Sequence, residues 1–364
     1  MQLSSTLAFL VDAAGEAAGP DRLLAEVGAR LVADGLPLSG GALTLAVPHP
    51  LIARRTWLWR AESGEVIEAF GFVAAGFSAV GAAPTDDAGR RWLAGLAAAG
   101  LVHEDAIGSR PDGPSLGWIG PRPFTPDEAN ALRQAARFAA APLAALAARA
   151  TLTAALEAYL GRRSAARVLA GPLRRDIGET IQAALLYADL RGFTALSESN
   201  PPSEVISALN AWFDRIAGPV HAFGGEVLKF IGDGVLAIFP VVGGSPRAAC
   251  DAALRAVAAA RSGMAHLDEA RRREGLPPLA FGAALHLGEM LWGNIGAADR
   301  LDFTAIGPAV NLVSRLEGLC RSLDKAILVS GTLAAETSVP LIRLGTHALR
   351  GIASPCAVFT LPEN

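Results

Sequence analysis

The sequence predicts an α/β protein of the α+β kind, in two parts. Its second half reads as a ferredoxin-like β-α-β-β-α-β plan, with helices on one face of an antiparallel sheet, and its first half as a smaller mixed α/β unit. Three observations carry this. Between residues 181 and 362, apolar runs of strand length alternate with long segments of helical period. Two of the runs meet in EVLKFIGDGVLAIFP, residues 226–240, where Gly232-Asp233-Gly234 marks a tight hairpin turn. The 364 residues are 51% hydrophobic and 18% charged, enough apolar material for more than one core.

The first half opens with a helical pattern over residues 5–35, whose best segment, DRLLAEVGARLVADG, stops at Gly35. Strand-like runs follow at 41–47, 56–61 and 65–73, then a helix around DDAGRRWLAGLAAAG and a strand at 115–120. FTPDEANAL starts another helix, with Thr125 suited to the N-cap, Pro126 to the first helical position and acids in the first turn. Pro142 is expected to kink or divide it. In its order of elements, the stretch 1–142 resembles a GAF-like sensor domain, which implies an N-terminal ligand or protein signal of unknown identity. Trp57, Trp59 and Trp118 either line a pocket there or fill its core. Residues 143–175, rich in alanine and arginine, read as a helical connector ending at Gly171-Pro172, and a second domain is expected over 176–364.

In that domain a strand is predicted at 181–190, a helix at 202–223, then the hairpin, with Val227, Phe230, Ile231, Val235, Leu236, Ile238 and Phe239 burying it. A helix at 245–273 follows, then strands at 279–288 and 290–296, a helix at 308–323, and closing strands in AILVSG and AVFTLP.

Composition excludes several classes. A net charge of -3 leaves no basic footprint for nucleic acid. Cys250, Cys320 and Cys356 are odd in number and far apart, which fits a reducing compartment rather than a disulfide framework or a cysteine zinc site. No two of the six histidines stand at metal-ligand spacing. TLAFLV is short and meets Asp12 at once, and FAAAPLAALAA lies between Arg137 and Arg149, so neither a signal peptide nor a membrane span is expected and the chain reads as cytoplasmic.

Chemistry gathers in three segments. YADLRGFT delivers Asp189 to the end of an apolar strand and opens a turn whose backbone N–H groups can cradle phosphate oxygens. Taken alone, Asp189 is a turn acid and Asp233 a hairpin residue. In a ferredoxin-like sheet, however, the first strand lies beside the hairpin strand, so the two carboxylates can meet. They repel unless a cation lies between them, and hard oxygen ligands favour Mg²⁺ or Mn²⁺. Two such ions bridged by two aspartates suit in-line attack at phosphorus. In LDFTAIGPAVNLVSRLEGL, Asn311 and Arg315 stand four apart on one helix face, at the edge of its apolar stripe.

Together these motifs make the segment from about 181 to 362 similar to the catalytic domain of class III nucleotidyl cyclases. ADLRGFTALSE resembles the first metal motif of that family, FGGEVLKFIGDGVLAIFP the second with its base-reading lysine, and DFTAIGPAVNLVSRLE the third. The resemblance implies an adenylate cyclase making cyclic AMP from ATP, with two Mg²⁺ or Mn²⁺ ions per site held by Asp189 and Asp233. It implies that Lys229 donates to the adenine ring, Thr304 pairs with its amino edge, Asn311 orients the ribose and Arg315 stabilises charge on the α-phosphate. The backbone of Leu190, Arg191, Gly192, Phe193 and Thr194 would hold the outer phosphates, with Arg350 in HALRGI helping. Because the family draws the two sets from different subunits, an obligate head-to-tail homodimer is implied.

Residue usage agrees at one point: of 32 basic residues only Lys229 and Lys325 are lysine, and a guanidinium fork does not replace a point donor. Two departures stand out. Thr304 replaces the aspartate of some relatives, and a hydroxyl both donates and accepts; Glu289 stands where some relatives place a phosphate-binding arginine. A cyclase for GTP or a pyrimidine nucleotide, and a silent nucleotide-binding dimer, are the alternatives. Guanine asks for an acid where Lys229 stands, and no metal aspartate or helix arginine is missing.

Overall fold

The computed structural model describes residues 4–46, 52–72, 88–96, 101–108, 113–171, 178–297 and 299–362. The chain divides into two compact units, Met1–Leu152 and Thr153–Asn364. The expected domain start at Asp176 lies outside the described residues.

In the first unit, helices α1 (Ser5–Asp12) and α2 (Pro20–Ala33) precede strands β1 (Gly40–Ala46), β2 (Ile52–Arg60) and β3 (Val66–Phe72). Helix α3 (Ala88–Leu96), strands β4 (His103–Ala106) and β5 (Ser115–Ile119), and helix α4 (Pro126–Leu160) as far as Leu152 complete it. The sheet is antiparallel in the order β3-β2-β1-β5-β4. Trp57, Trp59 and Trp118 are core residues, packed with Leu24 and Val27 of α2 and Leu132 and Ala136 of α4. Their rings occupy the space over glycines: a Cβ on Gly41 would lie 2.4 Å from Trp118, and one on Gly28 2.6 Å from Trp59.

Helix α4 starts as its sequence signals. Thr125 Oγ1 accepts the Glu128 N–H at 3.3 Å, and Glu128 Oε2 accepts the Thr125 N–H at 2.8 Å, a reciprocal cap. Of the two outcomes expected at Pro142, division does not occur: α4 runs through the proline, which is buried within it. Burying Ala139, Leu143 and Leu146 on either side of the proline offsets the cost of an interior proline, about 3 kcal/mol for the lost backbone bond and the ring's clash together. By length and composition the whole helix, of which the run between Arg137 and Arg149 is a part, is long and apolar enough to cross a membrane. Part of it nonetheless lies in the core of the first unit.

The second unit contains helix α5 (Arg162–Ala170), strand β6 (Gly178–Leu190), helices α6 (Phe193–Ser199) and α7 (Pro202–Ala222), and the hairpin β7 (Glu226–Ile231) and β8 (Gly234–Pro240). Then come α8 (Pro246–Arg273), β9 (Phe281–Gly296), β10 (Leu301–Ile306), α9 (Pro308–Glu317), β11 (Ile327–Ser330), α10 (Gly331–Glu336), β12 (Ile342–His347) and β13 (Cys356–Thr360). The sheet order is β12-β13-β11-β9-β6-β8-β7, with β10 paired to β9. As expected, β6 lies between the others and beside the hairpin strand β8.

Helices cover both faces of this sheet rather than one. Ala184, Leu186 and Ala188 pack with Trp212 and Ile216 of α7 and Val257 of α8. The alternate residues Ala183 and Leu185 pack with Val313 and Leu316 of α9. The reason is in the sequence of β6: Ala183 through Leu186 are all buried, a continuous apolar run that suits a strand covered twice. Strand β11 runs parallel to β9, so the sheet is not purely antiparallel.

Two expectations for strands fail. The pair at 279–288 and 290–296 is one strand, β9, which pairs with β6 from Phe281 to Gly293. Gly288 is not a turn residue; a Cβ there would meet Ala309 of α9 at 2.7 Å, so it permits close helix packing. Phe230 and Ile231 are not buried: they are 50% and 48% exposed, because β7 is the edge of the sheet.

Candidate functional site

Strand alternation sets the first carboxylate. Ala188 and Leu190 face α7 and α8, so Asp189 between them turns to the α9 side, opposite Gly282 on β9. The hairpin turn brings Asp233 to it. Gly232 takes φ +64°, and the indole of fully buried Trp212 donates to the Asp233 carbonyl at 2.8 Å, pinning the tip from α7. Gly234 has no room for a side chain: a Cβ would lie 2.7 Å from the Tyr187 hydroxyl.

Burial, then the Asp233 carboxylate, then Glu317 push the Asp189 carboxyl well above the usual carboxylate range, opposed only by the Leu190 backbone N–H. Asp189 Oδ1 is buried without a hydrogen-bond partner. Glu317, at the end of α9, is itself shifted upward by burial and by Asp233, while Arg191 acts the other way. Arg191 is held by donating to the Lys325 carbonyl at 2.7 Å. Two carboxylates drawn together in a partly dry place, one with an orphaned oxygen, fit a divalent cation. Among the described residues no group of three or more His, Cys, Asp or Glu side chains is placed to hold a metal ion. That suits a hard cation which takes its remaining oxygens from water and a phosphate-bearing substrate.

Residues 190–194 follow directly. Leu190 ends β6, Arg191 turns the chain, and Gly192 caps α6 in the left-handed region at φ +76° before Phe193 and Thr194 begin the helix. A Cβ on Gly192 would meet nothing, so the backbone conformation alone favours glycine.

The base-facing candidates lie elsewhere on the chain. The register of β7 shifts between Val227 and Lys229, a bulge that turns Leu228 into the α9-side core and leaves Lys229 at its rim. There the Lys229 ammonium pairs with Asp302 of β10. Asp302 and Thr304 share one face of β10, because Phe303 and Ala305 point into the core. Asp189 pairs near the start of β9 and Thr304 near its end, opposite Gly293. Arg350 follows β12 at the sheet end away from Asp189, since His347 faces Cys356 while Phe359 faces Val329. Asn311 and Arg315 are exposed on the outer side of α9, with Val313 and Leu316 buried between them and the sheet. One chain therefore gathers the acids and the phosphate turn as one group, and pairs Lys229 with the Thr304 strand as another.

Sequence reasoning missed Glu317 and Asp302. Each had a signal: Glu317 stands four residues after Val313, an acid on an apolar helix face, and Asp302 stands two before Thr304, on the same strand face.

Comparison with known proteins finds the adenylate and guanylate cyclase catalytic domain at residues 177–346. Adenylate cyclase 1 of Rhizobium meliloti is 31% identical over 180 residues, 49% of this chain and 27% of that protein. An adenylate cyclase of Anabaena cylindrica is 30% identical over 165 residues, 44% of this chain and 32% of that protein. The match thus spans about a quarter to a third of these relatives' length. The solved structure of a bacterial light-regulated adenylyl cyclase aligns with a TM-score of 0.52 at 22% identity, covering 71% of this chain and 85% of that one, a likeness of fold.

Proposed function

From the premise that residues 177–346 are a catalytic domain of the adenylate and guanylate cyclase family, we propose that the chain converts ATP to 3′,5′-cyclic AMP and diphosphate. The observation that carries this is the buried, unpartnered Asp189 Oδ1 set against Asp233. Those two carboxylates would hold Mg²⁺ or Mn²⁺, two per site. The ions, when bound, ease ionisation of the ribose 3′-hydroxyl and offset phosphate charge. The backbone of residues 190–194 binds the outer phosphates, and Arg350, at the sheet end away from Asp189 in its own chain, assists from the other chain of the dimer described below. Lys229 donates to the adenine ring and Thr304 meets its amino edge. Asn311 orients the ribose, and Arg315 meets the charge that grows on the α-phosphate during attack, so its effect falls mainly on the transition state.

The working unit is a head-to-tail homodimer. Support comes from the separation of the acids from the Lys229–Thr304 set within one chain, and from apolar Phe230, Ile231 and Ile306 exposed around the latter. The first unit acts as a regulator of GAF-like kind, responding to an unknown ligand or protein. Three free cysteines, two of them buried, suit the cytoplasm.

The test is direct. Purified protein is incubated with ATP, GTP, CTP or UTP and Mg²⁺ or Mn²⁺, and the products are separated by chromatography. Cyclic AMP from ATP, absent with Asp233→Asn, is the expected result. A cyclic product from no nucleotide, or an undiminished product from Asp233→Asn, would overturn the reading.

A further inference from the structure

We infer that Asp302 is a specificity-determining residue, the acceptor that makes the base pocket select a 6-aminopurine such as adenine over guanine. The inference rests on the cyclase reading above and concerns a residue that reading does not use.

Lys229 and Asp302 come from different strands, β7 and β10, and their side chains form an ion pair that is only partly exposed, at 30% and 48%. Neither arrangement is incidental to the backbone. The bulge in β7 puts Lys229 on the same side as Leu228, and the burial of Phe303 and Ala305 commits Asp302 and Thr304 to one shared face. Lys229 and Asp302 therefore meet, with Thr304 two residues on along the same face of β10.

The chemistry of the purine edge decides what such a patch prefers. An ammonium on a four-carbon stem discriminates poorly by itself, because adenine N1 and guanine O6 both accept. Thr304 adds little, since a hydroxyl can donate to a carbonyl or accept from an amine. A carboxylate only accepts. Beside Thr304 it favours the exocyclic amine at position 6 of adenine and disfavours the carbonyl oxygen of guanine at the same place. Its bond to Lys229 also holds the ammonium at one point, so the lysine does not swing to follow a different base. An acid in this patch restores the discrimination that threonine at 304 alone would relax.

The experiment uses the full chain and the variants Asp302→Asn, Asp302→Ala and Asp302→Glu. For each, kcat and KM are measured with ATP and with GTP in Mn²⁺, and equilibrium binding of the same two nucleotides is titrated. In Asp302→Asn, which keeps shape but gains a donor, the ratio of kcat/KM for ATP to that for GTP falls about tenfold, mostly through KM for ATP. Asp302→Glu retains part of the preference. A ratio unchanged within about twofold, with ATP and GTP declining in parallel or not at all, overturns the inference while leaving the cyclase reading intact. If the wild-type chain forms no cyclic nucleotide, the cyclase reading fails on its own, and the binding titrations still decide: preference for ATP that weakens in Asp302→Asn supports the inference, and equal binding, or none, refutes it. Thermal unfolding of each variant within a few degrees of wild type identifies those that fold, and Asp302→Asn substitutes for Asp302→Ala if the latter does not.

Discussion

At Asp189 the chain holds a partly buried carboxyl against two other acids, and no local feature of the strand explains that choice. Ala or Ser would end β6 at lower cost. Asp189→Asn should therefore raise the stability of the metal-free protein, on the order of 1 kcal/mol or about 2–4 °C in Tm, while abolishing turnover and removing stabilisation by Mn²⁺. Differential scanning calorimetry with and without Mn²⁺ measures both effects; a variant less stable than wild type in chelator would count against a cation site. His286 makes a separate point. It is buried in β9, bonded through Nδ1 to the Ser330 and Thr332 hydroxyls at 2.9 and 3.0 Å, and burial lowers it to about 4. Because the folded pKa lies below the unfolded one, stability is full above about pH 6.5 and is lost as pH falls from there to about 4, by about 3 kcal/mol. Urea titrations across that window should show a slope that His286→Gln flattens. Asp189, Asp233 and Lys229 stood out in the sequence because three motifs stood in order, and the structure brings the two aspartates together. Glu317 was harder to see, since its meaning comes from which helix face the sheet buries.

Among the elements, β7 ties the most together. It carries the bulge, Lys229 and, at its start, Glu226, a buried carboxylate that accepts from the N–H groups of Arg163 and Ser164 at 3.1 and 3.0 Å and from the Ser164 hydroxyl at 2.9 Å. Glu226 thus caps α5 from a distant strand. Glu226→Ala should cost about 2 kcal/mol, read as a fall in the urea midpoint, by leaving the first N–H groups of α5 unsatisfied. An unchanged midpoint would mean that water takes over the cap. The hairpin tip is similarly constrained. Gly234→Ala should cut activity at least tenfold through the Tyr187 hydroxyl, and adding Tyr187→Phe should restore part of it. No recovery in the double variant would place the clash at the Ile231 carbonyl, 3.1 Å away, instead. The hairpin, α7 and α8 could be read from periodicity. Strand β9 was read as two because Gly288-Glu289 looks like a turn, when the glycine instead makes room for α9. Exposure of Phe230 and Ile231 was not legible, because alternation does not say whether a strand lies at the edge of a sheet.

Across the whole molecule, the acids and the phosphate turn belong to one group, and Lys229, Asp302 and Thr304 to another. The sequence made the domain recognisable through motif order, but that grouping depends on pairing register, which motifs do not encode. In the first unit the alternating strands and the capped helix were legible, and the tryptophans proved to be core. What the unit senses is written in no motif. The proposed sharing of each site between two chains has a sharp consequence for mixtures. Asp233→Asn removes one half of the site and Arg315→Ala, losing about 3 kcal/mol of transition-state stabilisation or roughly a hundredfold in rate, removes the other. Mixed as equal amounts and allowed to exchange, half of the dimers carry both defects at one site and neither at the other. The most direct measurement is cyclic AMP formation by that mixture: about a quarter of wild-type activity is expected, from two parents that are each nearly inactive. A mixture no more active than its parents would contradict a site built from two chains.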